Sequence, residues 1–179
     1  VLLSLLAGIT INNFEKIISE KAKIARIMPN APVLINKGMS AISFNSNILP
    51  AQKDFVMKMF ACFGSAVSID ERYQNLAIAL SGSSPAYFYL ICKYMVDFAV
   101  RQGLDKETAK KLAAGSITGS GEVLKQTNDD FNDLIGRVAS KGGTTEKALE
   151  SFEKNNLKKI IFDAMTMVLK KALEIEKSA

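Results

Sequence analysis

The spacing of apolar residues changes near residue 70 of this chain. Before that point, short apolar runs of strand length alternate with segments whose apolar residues recur at helical spacing. From Glu71 onward only the helical periodicity remains. We therefore predict an α/β domain over residues 1–70 and an all-helical domain over residues 71–179. The predicted strands are Val1–Leu6, Lys23–Met28, Met39–Phe44 and Ala66–Ile69.

The first of these runs, Val1–Leu6, is typical of a strand buried on both faces of a parallel sheet. A helix predicted over Phe14–Lys23 is expected to turn Phe14, Ile17 and Ile18 inward. Strands that alternate with helices imply a sheet with right-handed crossovers.

In the helical half, the cluster Ser81–Pro85 must kink or end a helix, because Pro85 cannot continue the hydrogen bonding. The next segment, Ala86–Val100, is apolar on nearly all sides and needs cover on all sides. We expect a second subunit to supply that cover.

The sequence also predicts packing features of two later helices. The helix that Asp105 opens as its N-cap contains Gly115, Gly119 and Gly121, which favours the close approach of another helix. In the last helix, Leu157–Ile175, the residues expected to face inward are Ile160, Ile161, Ala164, Met165 and Val168.

The amino-acid composition argues against several classes of function. A chain of 179 residues with 48% hydrophobic and 23% charged residues is expected to fold. Its net charge of +5 comes from lysines scattered among acidic residues, which argues against a nucleic-acid partner, and its apolar runs do not predict a membrane span. With no histidine, it lacks the commonest metal ligand, and no metal site is predicted. Cys62 and Cys92 are interpreted as small buried hydrophobes, which fits a reducing, cytoplasmic location.

The most informative stretch is Ser140–Glu146. Gly142 and Gly143 bring backbone amides within reach of a ligand, and the helix that begins near Thr144 adds free amides and a positive dipole end. Together these favour a carboxylate or phosphate site. A plain linker with a threonine helix cap remains an alternative.

Three stretches in this order resemble the pyrroline-5-carboxylate reductases, which make L-proline. They are Met28–Pro32 with Gly38–Met39, Leu80–Tyr87, and Ser140–Leu149. The resemblance implies part of a Rossmann domain that binds NADPH or NADH. It also implies a helical dimerisation domain like the C-terminal domain of 6-phosphogluconate dehydrogenase, hence a homodimer, with rings of dimers formed by related enzymes. The activity implied is NAD(P)H-dependent reduction of 1-pyrroline-5-carboxylate, the last step of proline biosynthesis.

The resemblance also assigns roles on the substrate side. Thr145 matches the catalytic threonine whose hydroxyl hydrogen-bonds the substrate's ring nitrogen. Ser140 and the backbone amides of Gly142, Gly143 and Thr144 match the groups that hold the substrate carboxylate.

On the cofactor side, the resemblance assigns two short segments. Ala7 and Gly8 match the turn beneath the nicotinamide, and Met28, Pro29 and Asn30 match a loop that lines the same side of the cleft.

The chain departs from the family in lacking the glycine-rich phosphate loop of a Rossmann domain. We therefore expect this chain alone to bind NAD(P)H weakly or not at all. Two alternatives remain: a non-catalytic module that dimerises through its helices, and a related Rossmann-type reductase of a hydroxyacid or a nucleotide sugar. The second usually carries a catalytic lysine or histidine in its helical half, and this chain has no histidine.

Overall fold

The computed structural model describes residues 1–178, which form one sheet and eight α-helices. The strands are β1 (Leu2–Ser4), β2 (Ile24–Pro29), β3 (Gly38–Phe44) and β4 (Gly64–Ser68). The helices are α1 (Ile11–Ile17), α2 (Pro50–Ala61), α3 (Gln74–Ala77), α4 (Ser84–Arg101), α5 (Lys106–Gln126), α6 (Phe131–Val138), α7 (Thr144–Lys154) and α8 (Leu157–Lys177). Short 3-10 turns occur at Ala31–Ile35 and Glu71–Tyr73, and a π-helical turn occurs at Ile78–Gly82.

The sheet has the strand order β1-β2-β3-β4. The pairs β1/β2 and β3/β4 are parallel, and each is connected through a helix as predicted. The expectation of crossovers throughout is wrong between β2 and β3, which pair antiparallel with Ala25 opposite Phe44. Only residues 30–37 link these two strands, and a parallel crossover needs a dozen residues or more.

The hydrophobic core lies between the sheet and α2. Its buried residues are Ala25, Ile27, Ile42, Ile48, Val56 and Phe60. Alternate residues of β2 point to this side of the sheet, so Ala25 and Ile27 are fully buried here while Arg26 points to the opposite side.

Several burial predictions for this part of the chain are wrong. The first strand covers only Leu2–Ser4, at an edge of the sheet, and Leu5 and Leu6 beyond it are exposed. Ile17 is 79% exposed and Ile18 55%, because α1 is a short helix that ends at Ile17 and buries Ile11 instead. Cys62 is exposed, since it follows the last turn of α2.

The predicted break at Ser81–Pro85 is confirmed. The helix that begins as α3 widens into the π-helical turn, and α4 then begins at Ser84 with Pro85 as its second residue. Proline is tolerated in a first helical turn because its missing amide has no intrahelical acceptor there.

The described chain folds into two compact units. The sheet unit contains Val1–Ala86 and the chain from Asp163 onward, and the helical unit contains Tyr87–Phe162. The predicted order of an α/β part followed by helices is confirmed. The domain boundary at residue 70 stays a prediction.

In the helical unit, large apolar side chains face solvent. Tyr89, Tyr94 and Phe98 of α4 are each at least 60% exposed, as expected for a helix whose cover comes from outside the chain. Ile160 and Ile161, predicted to face inward, are also exposed. A Cβ added to any of the three glycines of α5 would meet no atom within 4 Å, so no other described part of this chain approaches them closely.

Candidate functional site

The loop that joins α6 to α7 needs its two glycines for different reasons. Gly142 has a φ of +77°, in the left-handed region that glycine adopts without strain. Gly143 precedes the first residue of α7, and a Cβ there would lie 2.6 Å from Ser140 Oγ. The glycine pair therefore fits the predicted role of bringing the backbone close to its surroundings.

Two of the three predicted carboxylate-binding amides already have partners. The Gly143 amide donates to the Ser140 carbonyl at 2.9 Å, and the Gly142 amide donates to Glu146 Oε2 at 2.7 Å. Thr144 is the first residue of α7, so its amide has no acceptor within the helix, and the Gly143 cap supplies no side chain. The arrangement thus offers the Thr144 amide at the positive end of the helix dipole.

Glu146 was missed as a site residue by sequence reasoning. It is the third residue of α7, a position from which glutamate commonly reaches back to a backbone amide at the helix start. That positional rule could have singled it out.

Thr145 is one of the residues that line a cavity of about 610 Å³ within the helical unit. The polar residues of this cavity are Thr145, Ser120 and Arg137. Arg137 Nη1 lies 2.7 Å from Asp129 Oδ2, so its charge is largely balanced within the chain. The apolar wall consists of Val123, Leu124, Phe131, Leu134, Ile135, Val138 and Leu149. A threonine hydroxyl beside an apolar wall and a free helix amide can orient a small ring that carries one anionic group.

The five residues predicted on the cofactor side all lie in the sheet unit. Ala7 and Gly8 follow β1, and Met28, Pro29 and Asn30 end or follow β2. Because β1 and β2 are parallel, both segments lie beyond the carboxyl ends of these strands. Open α/β sheets bind ligands at that end of their strands.

Gly8 and Ala7 pack close to α8. Gly8 has a φ of +85°, and a Cβ there would lie 2.7 Å from Ile175 Cγ2. Ala7 lines a mainly apolar cavity of about 260 Å³. A single aromatic ring fits this volume but a dinucleotide does not, so these residues fit only the nicotinamide end of the expected cofactor. The cavity's other lining residues are Ile78, Ser83, Val168, Lys171, Ala172 and Ile175.

Asn30 uses its side chain to join three elements of the sheet unit. Its Oδ1 accepts from the Met39 amide at 2.8 Å, and its Nδ2 donates to the Ser81 carbonyl at 3.1 Å. Ser81 lies in the π-helical turn. In the structure, Asn30 therefore holds this turn against the ends of β2 and β3.

Sequence analysis also missed a buried cation, Arg26, which lies on the face of the sheet opposite α2. The Arg26 side chain is 1% exposed, and its Nη1 lies 3.1 Å from Glu71 Oε1 while its Nη2 lies 3.3 Å from Glu176 Oε2. Asn75 Nδ2 donates to the same Glu176 oxygen at 2.9 Å. We call Arg26, Glu71 and Glu176 the arginine clamp, and it ties the end of α8 to β2.

The described residues provide neither a metal centre nor a membrane-spanning helix. Residues 1–178 contain no group of three or more histidine, cysteine, aspartate or glutamate side chains that could hold a metal ion. In the same part of the chain, no helix combines the length and the apolarity that crossing a membrane requires.

Comparison with known proteins identifies pyrroline-5-carboxylate reductases as relatives. The family model for pyrroline-5-carboxylate reductase dimerisation matches residues 71–175. Pyrroline-5-carboxylate reductase of Escherichia coli is 33% identical over 178 residues, which are 99% of this chain and 66% of the relative. The chain thus spans about 66% of the length of this curated relative.

Solved structures of such enzymes have the same fold. A pyrroline-5-carboxylate reductase from Coxiella burnetii matches 97% of this chain and 64% of its own chain with a TM-score of 0.92 and 31% identity. The pyrroline carboxylate reductase of Plasmodium falciparum, solved with NADP bound, matches 98% of this chain and 71% of its own, with a TM-score of 0.89 and 31% identity.

Proposed function

The chain belongs to the pyrroline-5-carboxylate reductase family, and we propose that its whole protein reduces 1-pyrroline-5-carboxylate to L-proline with NADPH or NADH. This is the last step of proline biosynthesis, which we place in the cytoplasm. The observation that carries the proposal is the position of Thr145, which lines a cavity with an apolar wall and lies in the first turn of α7, two residues after Gly143.

Each residue of the loop has a role in this proposal. The Thr145 hydroxyl hydrogen-bonds the ring nitrogen of the substrate and so fixes the ring in one orientation. Ser140, with the amides of Gly142, Gly143 and Thr144, is assigned to the substrate carboxylate at the start of α7. The Thr144 amide is available for it, whereas those of Gly142 and Gly143 must first release Glu146 and the Ser140 carbonyl.

The cofactor, when bound, supplies the hydride that is transferred to the C=N carbon of the pyrroline ring. The chain's own contribution is alignment. Ala7 lines the cavity assigned to the nicotinamide ring, Gly8 follows it in the same turn, and Met28, Pro29 and Asn30 lie at the carboxyl end of the neighbouring parallel strand. A substrate that enters as its iminium ion needs no acidic side chain at the nitrogen.

The proposal is tested by removing the Thr145 hydroxyl. In the whole protein, Thr145→Ala should lower kcat/KM by roughly 10- to 100-fold, the effect of losing one well-placed hydrogen bond of about 1.4–2.7 kcal/mol. Ser151→Ala is the matched control, because it removes an exposed hydroxyl from the same helix. Equal losses in the two variants, or none in Thr145→Ala, would contradict the assigned role.

We also propose that two copies of the chain associate through the helices that the dimerisation family model matches. We further propose that such dimers assemble into rings, as in related enzymes. Support comes from the exposed apolar side chains of α4. As the alternative, we propose that the 179 residues by themselves, which contain no glycine-rich phosphate loop, act as a dimerisation module with no reductase activity.

Two measurements separate these roles. Light scattering on the purified chain should give the mass of a dimer or a larger assembly, and calorimetry with NADPH should give no tight binding. A monomer would contradict the dimerisation proposal. Turnover of 1-pyrroline-5-carboxylate by the same sample would contradict the inactive module.

A further inference from the structure

Glu146 places a carboxylate of the chain itself beside the proposed substrate site. Its Oε2 accepts the hydrogen bond from the Gly142 amide at 2.7 Å. That amide is one of the three assigned to the substrate carboxylate, so the chain's own carboxylate occupies a donor that the ligand needs.

Of the two other amides assigned to the substrate carboxylate, one is also bonded. The Gly143 amide donates to the Ser140 carbonyl, so the Thr144 amide at the start of α7 and the Ser140 hydroxyl remain for the ligand. An incoming carboxylate therefore finds one of its three assigned amides unbonded and meets the negative charge of Glu146 on the same helical turn. Like charges this close in the fold repel even in a solvated setting.

We propose that Glu146 is a specificity-determining residue that lowers the affinity of this loop for carboxylates. It competes for the Gly142 amide and repels the incoming charge. This inference rests on the proposed function, which makes a carboxylate the ligand of the loop. It concerns a residue that touches the binding groups and takes no part in hydride transfer.

A plain helix cap is the competing explanation. A glutamate three residues into a helix often accepts a hydrogen bond from an amide at the helix start and stabilises the helix without any effect on ligands. The two explanations separate in Glu146→Gln, because glutamine can still accept this bond through its amide oxygen but carries no charge. Glu146→Ala loses both the bond and the charge.

The experiment measures carboxylate binding by NMR on the isotopically labelled 179-residue chain. The amide shifts of residues 142–145 are followed during titration with acetate, L-proline and acetamide, the uncharged analogue of acetate. We expect Glu146→Gln to bind acetate and L-proline roughly three- to tenfold more tightly than the wild type, as expected when one partly screened like-charge contact is removed. Acetamide should show no such difference.

The matched control is Glu150→Gln. Glu150 lies one turn further along α7, where its carboxylate pairs with Lys147 Nζ at 2.9 Å, so this variant makes the same change in net charge away from the loop. Its affinities should equal those of the wild type. Circular dichroism of all variants verifies that α7 remains folded.

The possible outcomes distinguish the inference from the function on which it rests. Equal affinities in the wild type and Glu146→Gln, with L-proline still moving the loop amides, overturn the inference and leave the proposed function standing. Tighter acetate binding in Glu146→Gln, with L-proline moving no loop amide in any variant, supports the role of Glu146 and overturns the proposed substrate. Loop amides that respond to neither carboxylate overturn both.

Discussion

Replacing Arg26 by methionine should destabilise the sheet unit by about 3 kcal/mol. The side chain is 1% exposed and contacts two carboxylates, so its loss leaves both without their cation. Removing one partner of a buried ion pair costs roughly 3–5 kcal/mol. The Glu71 and Glu176 side chains are 29% and 28% exposed and can regain water, which places the expected cost at the lower end.

Urea unfolding followed by circular dichroism measures this loss as a change in the free energy of unfolding. Glu176→Gln keeps a hydrogen-bond acceptor near Arg26 but loses the charge, so we expect about 1 kcal/mol. Glu174→Gln is the matched control in the same helix. Its carboxylate pairs with Lys171 at 3.3 Å on the surface, where both side chains are more than 60% exposed, and it should cost less than about 0.5 kcal/mol.

Either of two results would contradict this role of Arg26. If Arg26→Met costs no more than the surface control, the guanidinium is not held by the two carboxylates. If Arg26→Met is costly but Glu71→Gln and Glu176→Gln together cost nothing, the cost does not come from the two ion pairs.

Three further predictions concern other parts of the chain. Gly64→Ala should destabilise the sheet by about 3 kcal/mol or more, measured by urea unfolding, because Gly64 has a φ of +137° and a Cβ there would lie 2.5 Å from the Gly38 amide nitrogen. Asp105→Ala should lower the Tm at neutral pH. Hydrogen bonds from the Thr108 side chain and amide hold the pKa of Asp105 below its ordinary value of 3.8. The stabilisation is therefore present above pH 3.8 and lost as the pH falls through the folded-state pKa, where the Tm difference from wild type should shrink. Phe98→Asp, at a side chain that is 66% exposed, should turn the expected dimer into a folded monomer by light scattering.

Local features of the sequence predicted the fold best. The spacing of apolar residues predicted all four strands and the later run of helices. Such elements depend on the side-chain periodicity and length of a short segment, which can be read from the sequence to within a few residues. The glycine loop was placed for the same reason: a left-handed Gly142 and a helix beginning at Thr144 follow from adjacent residues.

Burial and side-chain partners could not be predicted in this way. The apolar spacing around Ile17 is helical, yet α1 ends there and the side chain faces solvent, which depends on where the helix stops. The contact of Glu146 with Gly142 depends on one side-chain rotamer. The arginine clamp joins residues 150 positions apart, and no local pattern indicates such a pair.

The arginine clamp also determines when the contacts of the sheet unit can be completed during protein synthesis. Arg26 is synthesised long before Glu176, which lies in the last turn of α8, so the sheet unit remains without this contact until α8 has been made. The full set of contacts in the sheet unit therefore forms only after nearly the whole chain has been made.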